Sequence, residues 1–409
     1  MTQHTLRVSP TLLSAQRRAE SPLLRCGLCV ALLFAGVGCG ERSETAATAA
    51  VPVLEASSAF PGLERVSFTL AEEDIPERSV LTMALTARGT LTFLKDPRGP
   101  KVFATVDSTG AVLARWGRRG EGPGEVLGDE LLLSGDSSVV VVDLNGRRLQ
   151  LFSPVGKLLR EQASPPRGKP SSFANGRVLW WLSSGSGAGA REPGRLGPTR
   201  PLISWCVLGV CADTVLPASD SIVERVHRAS PPGGIGGWPA MVADGDRFWL
   251  GDGYSYTIWR FDSGGNVPPV RIQRAVPQRM VTAREFAKLD SSWVKLERSG
   301  MPGPGGKRIR LEFDVERQFM KKEPLPHFQL FGLSVDGRQR LWVIGRSNDS
   351  TFLDVFADTT FLGRHMIACH RSGYAAAVRG HWLALACDDE VETGGAVDRR
   401  LYRIVEGQP

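Results

Sequence analysis

The chain has 409 residues, 42% of them hydrophobic and 23% charged, with a net charge of +7. That is enough for two or three average domains or one large β domain, and apolar enough to bury a core. The Lys and Arg residues form no dense block, which excludes the concentrated basic footprint of a nucleic-acid-binding protein.

Residues 1–38 read as a signal peptide. Arg7, Arg17, Arg18 and Arg25 form a basic leader, and residues 26–38 form an apolar run, the length of a signal core and short for a membrane span. The run ends Gly36-Val37-Gly38-Cys39. This resembles a bacterial lipoprotein signal, in which small residues precede a Cys that is lipidated and becomes the new N-terminus. Gly36 stands where such signals usually carry Leu. Gly40, following Cys39, resembles outer-membrane sorting in Gram-negative bacteria. The expectation is an exported, membrane-anchored lipoprotein of the outer membrane or periplasm; an ordinary secretory peptide cut nearby is the alternative. The leader holds four Arg and one Glu, so its removal lowers the net charge by three, from +7 to +4. Residues 39–60 are rich in Ala, Ser and Thr without apolar periodicity, and read as a flexible tether.

Residues 61–409 read as one all-β domain. Forty-six Gly and 27 Pro punctuate short apolar runs, as in a turn-rich β protein. Residues 139–159 are the clearest unit. Val139, Val140, Val141 and Val142 favour a packed strand. Asp143, Asn145 and Gly146 supply a turn. Residues 148–152 alternate as a second strand, and Ser153, Pro154 and Gly156 turn into a third. Similar units recur at 79–116, 173–216, 239–273, 328–367 and 374–405. Six units predict a six-bladed β-propeller. The last lacks a strand that residues 63–70 can supply, which closes the ring and removes open sheet edges. Most of the ten Trp are expected in blade cores and between blades.

Residues 276–326 interrupt this pattern and predict a helical insertion. Thr282 and Glu285 form a capping box. Phe286, Leu289, Trp293 and Leu296 recur at helical spacing, and residues 311–320 offer a second periodic piece.

Four cysteines remain after export and lipidation: Cys206, Cys211, Cys369 and Cys387. An even number in an oxidising compartment points to disulfides. Cys206–Cys211, across a hairpin at Leu208 and Gly209, and Cys369–Cys387 are the expected pairs; other pairings or free thiols stay open. The spacing does not suit zinc.

The stretch Gly117, Gly120, Gly122, Pro123, Gly124 and Glu125 fits a G-x-x-G-x-GPGE pattern, and residues 139–156 resemble an NHL blade. On these, and on Val335-Asp336-Gly337 leading to Leu341-Trp342-Val343, the chain resembles the bacterial six-bladed propellers related to NHL-repeat proteins. Members often carry a lipoprotein signal. Val126 stands where that pattern often has an aromatic residue. The resemblance implies fold more than activity.

Three groups are candidate sites. Arg118, Arg119 and Glu125 in the glycine-rich loop can hold an anionic group; the plainer reading is a connection that needs positive φ. Tyr254 and Tyr256, in a Gly-flanked turn, read as an exposed aromatic patch for a sugar or peptide. Asp143/Asn145, Asp244/Asp246 and Asp336 repeat at blade turns, and converging oxygens there suit Ca²⁺ or another divalent ion; the plainer reading is Asx turns. No catalytic constellation is evident. The expected function is an envelope-anchored, monomeric binding or scaffold module for a protein, peptide or glycan partner. The alternative is a metal-dependent hydrolase or lactonase-like enzyme using the central channel.

Overall fold

The computed structural model describes residues 60–70, 83–95, 100–127, 130–144, 146–164, 169–182, 202–207, 210–215, 222, 226, 239–262, 268–302, 308–309, 312–322, 324–328, 331–347, 350–369, 371–387 and 398–406. The chain divides into Met1–Ala50 and Val51–Pro409, and every described residue lies in the second unit. The signal peptide, Cys39 and most of the expected tether therefore lie outside the described residues.

The described strands build six four-stranded antiparallel sheets. The first holds Met83–Leu85, Leu91–Leu94, Phe103–Val106 and Val112–Trp116. The second holds Glu130–Ser134, Val139–Asp143, Arg148–Phe152 and Leu158–Ala163. The third holds Lys169–Ala174, Arg177–Leu182, Leu202–Val207 and Val210–Val215. The fourth holds Ala240–Asp244, Arg247–Asp252, Thr257–Asp262 and Val270–Gln273. The fifth holds Leu333–Val335, Leu341–Ser347, Ser350–Ala357 and Thr360–Ile367. The sixth takes Arg371–Arg379, Trp382–Cys387 and Asp398–Val405 from the C-terminal stretch. Its fourth strand is Gly62–Arg65, with Gly62 opposite Val405.

The first strand of each sheet touches the first strand of the next, and the sixth returns to the first. The result is a propeller-like arrangement. Its physical logic is the two-residue period of a strand. Val139 and Val141 face the first sheet, whereas Val140 and Val142 face the third. Trp180 and Trp181 divide in the same way between the second and fourth sheets. Because both faces are buried, these strands read as continuous apolar runs. Each described core cluster fills the space between two neighbouring sheets. Trp116, Trp180, Trp181, Trp249, Trp259 and Trp342 are all buried there.

Strand alternation also separates two faces. Turns between first and second strands lie on one face, with those between third and fourth. Turns between second and third strands lie on the other, with the crossovers from sheet to sheet. The helical insertion is such a crossover, from the fourth sheet to the fifth. Its first helix, α1, spans Ala283–Ser299 and carries the expected capping box between Thr282 and Glu285; Gly300 ends it. Its second, α2, spans Asp314–Lys322, shifted from the expected 311–320. Arg317 joins the helices through Asp290 and Glu297, and Trp293 stacks on Phe313. Glu285 reaches Arg279 and Arg346, which ties α1 to the fifth sheet. The apolar stripe is only partly used: Trp293 is buried, but Leu289 and Leu296 remain 36% and 40% exposed.

Cys369 and Cys387 form a disulfide, with Cα atoms 5.0 Å apart. It joins the crossover after the fifth sheet to the second strand of the sixth. Cys206 and Cys211 lie in the paired strands Leu202–Val207 and Val210–Val215, but their side chains lie outside the described residues, as do Leu208, Gly209 and Asn145.

Candidate functional site

The glycine-rich loop leaves the first sheet at Gly117. Arg118–Arg119 pairs parallel with Glu125–Val126, which folds the loop on itself. Glu125 accepts a hydrogen bond from Gly122 N at 2.8 Å and an ion pair from Arg118 at 2.5 Å. Gly120 has φ 149°, and a Cβ there would meet the Glu125 carboxylate at 2.0 Å. Arg148 holds the loop from beneath. Its Nη1 donates to the Glu121 and Gly122 carbonyls, and its Nη2 to the Gly120 and Glu125 carbonyls and to Asp143. Asp143 also accepts from Leu127 N and Gly146 N. Glu125 therefore points into its own loop, while Arg118 keeps 74% of its side chain exposed. The binding reading of this trio narrows to the arginine side.

The Tyr254 turn corrects the expectation of an exposed aromatic patch. Tyr256 is completely buried, and Tyr254 is half-buried. Tyr256 takes a left-handed φ of 46°, rare for an aromatic residue, which turns its ring inward. There its hydroxyl donates to Asp354. Asp252, Ser255 and the Tyr254 N–H close the turn as an Asx motif.

Asp354 is the centre of a site that sequence reading missed. It sits fully buried in the third strand of the fifth sheet. Beside the Tyr256 hydroxyl it accepts from Arg274 Nη1, Arg364 Nε at 2.5 Å and Arg364 Nη2 at 2.8 Å. Arg364 is its cross-strand neighbour; Arg274 begins the helical crossover. Both guanidiniums lie over aromatic rings: Arg274 is 3.7 Å from the Phe361 centroid, and Arg364 is 4.3 Å from that of Phe352. Stacking and ion pairing together fix both side chains. His327 is buried beside them, its ring 5.6 Å from Tyr256. Burial, and then the Asp354 charge, push the Tyr256 phenol well above its usual range, so it keeps its proton. Burial and the Arg364 charge hold His327 below the ordinary imidazole value, which favours the neutral ring. The signal in the sequence is a carboxylate inside an apolar strand, TFLDVFA: a buried charge demands partners.

The channel between the six first strands is narrow, with a cavity of about 60 Å³. Three of its serines serve neighbouring backbones. Ser134 Oγ accepts from Leu85 N and Ser172 Oγ from Ala243 N, both at 2.9 Å, while Ser171 donates to the Met241 carbonyl. Among the described residues no group of three His, Cys, Asp or Glu could hold a metal ion. The turn aspartates are not equivalent, contrary to expectation. Asp143 lies on the crossover face; Asp244 and Asp336 lie on the other. Asp336 accepts from Arg338 N, Arg340 N, Arg340 Nε and Trp342 Nε1, so its lone pairs serve its own hairpin. That other face is cross-linked turn to turn, by Ala87 N to Asp136 O, Gly337 N to Gly380 O, and Arg379 to Asp136.

Among the described residues no helix is long and apolar enough to cross a membrane. No protein-family model matches the chain, and a search of curated proteins finds no match. Solved structures with a similar course are a candidate exported protein of Bacteroides fragilis (11% identity, TM-score 0.43, 84% of this chain and 95% of that one) and a member of the DUF4221 family from Bacteroides vulgatus (10% identity, TM-score 0.47, 86% and 98%). A luciferin-regenerating enzyme also aligns, at 11% identity and TM-score 0.36, over 85% and 98%. At these values the chain's architecture rests on its own strand pairing: it is an all-β protein of propeller-like sheets, similar in course to those proteins and assigned to none of their families.

Proposed function

We propose that the protein is an exported binding module: a six-bladed propeller, anchored to the outer membrane through Cys39, that offers its crossover face to a protein, peptide or glycan partner. The observation that carries this reading is the unequal chemistry of the two faces. One face is made of short turns tied to each other. The other carries the Arg118 loop, the Asp354 cluster and a helical insertion with exposed Leu289 and Leu296. A surface that carries inserted elements on a rigid scaffold is where binding residues concentrate.

Peptide and glycan arrays probed with the purified protein test this. Substitutions on the crossover face (Arg118→Glu, Leu289→Lys) are expected to abolish retained signals, and Asp246→Lys on the opposite face to leave them. The reverse pattern overturns the assignment. Anchoring is tested separately: Cys39→Ser is expected to move the protein from the membrane fraction to the soluble one.

A further inference from the structure

The Asp354 cluster carries more guanidinium donors than its carboxylate uses. Two guanidiniums face the Asp354 carboxylate beside a neutral Tyr256, with the buried Asp252 carboxylate also acting on neighbouring His327. Arg274 gives Asp354 a single Nη1 donor; its other N–H groups meet no acceptor among the described residues. The two arginine side chains keep 20% and 28% of their surface exposed. Fixed on Phe361 and Phe352, they present spare donors at defined positions, an arrangement suited to a carboxylate.

A second observation lies next to them. Val270–Gln273 is the outermost strand of the fourth sheet, and Arg274 follows it directly. Arg274 N donates to the Tyr256 carbonyl, and Ile272 is paired with Ile258. By strand alternation, Arg271 and Gln273 turn their backbone N–H and C=O away from the sheet. Among the described residues no strand pairs with that edge.

We infer that this edge and the two arginines bind the C-terminal residues of an extended polypeptide, added as a strand parallel to Val270–Gln273, with its terminal carboxylate on Arg274 and Arg364. The inference rests on the partner-binding function proposed above and names its ligand class. An acidic glycan also offers a carboxylate, but not the row of amide donors and acceptors that matches a strand edge.

The test uses the full-length protein, immobilised, and two randomised hexapeptide pools, one with free C-termini and one amidated. Bound peptides are identified by mass spectrometry and their affinities measured by fluorescence anisotropy. Free-carboxylate peptides are expected to bind about tenfold or more tightly than their amides, the size of one charge-assisted hydrogen bond. Arg274→Gln is expected to bring that ratio to one while the melting temperature stays near wild type. Arg274→Lys, which keeps the charge but loses the planar fork, is expected to fall between. Equal binding of the two pools, or a ratio unchanged in Arg274→Gln, overturns the inference. So does Arg274-dependent retention of an oligogalacturonide with no peptide retained. Array ligands that survive Arg274→Gln but are lost in Leu289→Lys would overturn this inference and leave the binding function standing.

Discussion

Two regions of the crossover face use the same ingredients differently. Beneath the glycine-rich loop, Arg148 distributes its Nη donors over four backbone carbonyls and Asp143. Between the fourth and fifth sheets, one carboxylate takes donors from two arginines and a tyrosine. In the first region the cation serves the chain, and its side chain is only 14% exposed. In the second, cationic groups outnumber the acceptor and reach solvent. An arginine near a buried aspartate can therefore be part of the scaffold or a reserve of donors. What matters is where the remaining donors point, not whether an ion pair exists.

Substitution sharpens this contrast. The largest effect is expected for Asp354→Ala, which strands two arginines and the buried Tyr256 hydroxyl; about 3–5 kcal/mol should be lost in denaturant unfolding. Arg148→Ala comes next, at about 2–3 kcal/mol, since several loop carbonyls lose a charged donor together. If Arg148→Ala cost more than Asp354→Ala, the ranking of the two clusters would be wrong. Gly120→Ala should cost about 1–3 kcal/mol, because a Cβ collides with Glu125 inside the folded loop. Arg274→Gln should change stability least while changing binding most, which no variant of the Arg148 clasp should do.

Acid should separate the regions as well. Burial holds both His327 and His365 below the ordinary imidazole value. A base whose folded value is lowered binds protons more readily unfolded. Its stability contribution is therefore complete above the unfolded value of about 6.5 and declines as pH falls below it. The melting temperature should drop modestly between pH 7.5 and pH 5.5, and His327→Gln with His365→Gln should flatten that slope. Hydrogen exchange should quicken first around Tyr256, beside His327, and later in the loop held by Arg148.

The strands were legible because a ring of sheets buries both faces of each one. Val139–Val142 and the Trp180–Trp181 pair announce this without any partner in view. The α1 boundary was legible because a capping box is local. The Asp354 cluster was not, because its partners come from positions 256, 274 and 364, and spacing along the chain does not encode that meeting. Tyr254 and Tyr256 misled for a related reason. Flanking glycines suggest an exposed turn, but the left-handed backbone at Tyr256 swings its ring toward Asp354. Asp143 and Asp336 looked alike as turn residues. They sit on opposite faces, since one ends a second strand and the other follows a first.

The sixth sheet has a consequence for the order of events in synthesis. Its first three strands are the last of the described strands to be made, and its fourth is Gly62–Arg65, the earliest described strand. Each of the other five sheets can complete itself from one continuous stretch. Gly62–Arg65 lacks its described partner until residues 398–405 have left the ribosome. The ring therefore closes after its other sheets, at the seam between the first and the last described strands. A chain stalled before residue 398 would hold five finished sheets and an open edge, the state most exposed to aggregation and to proteases.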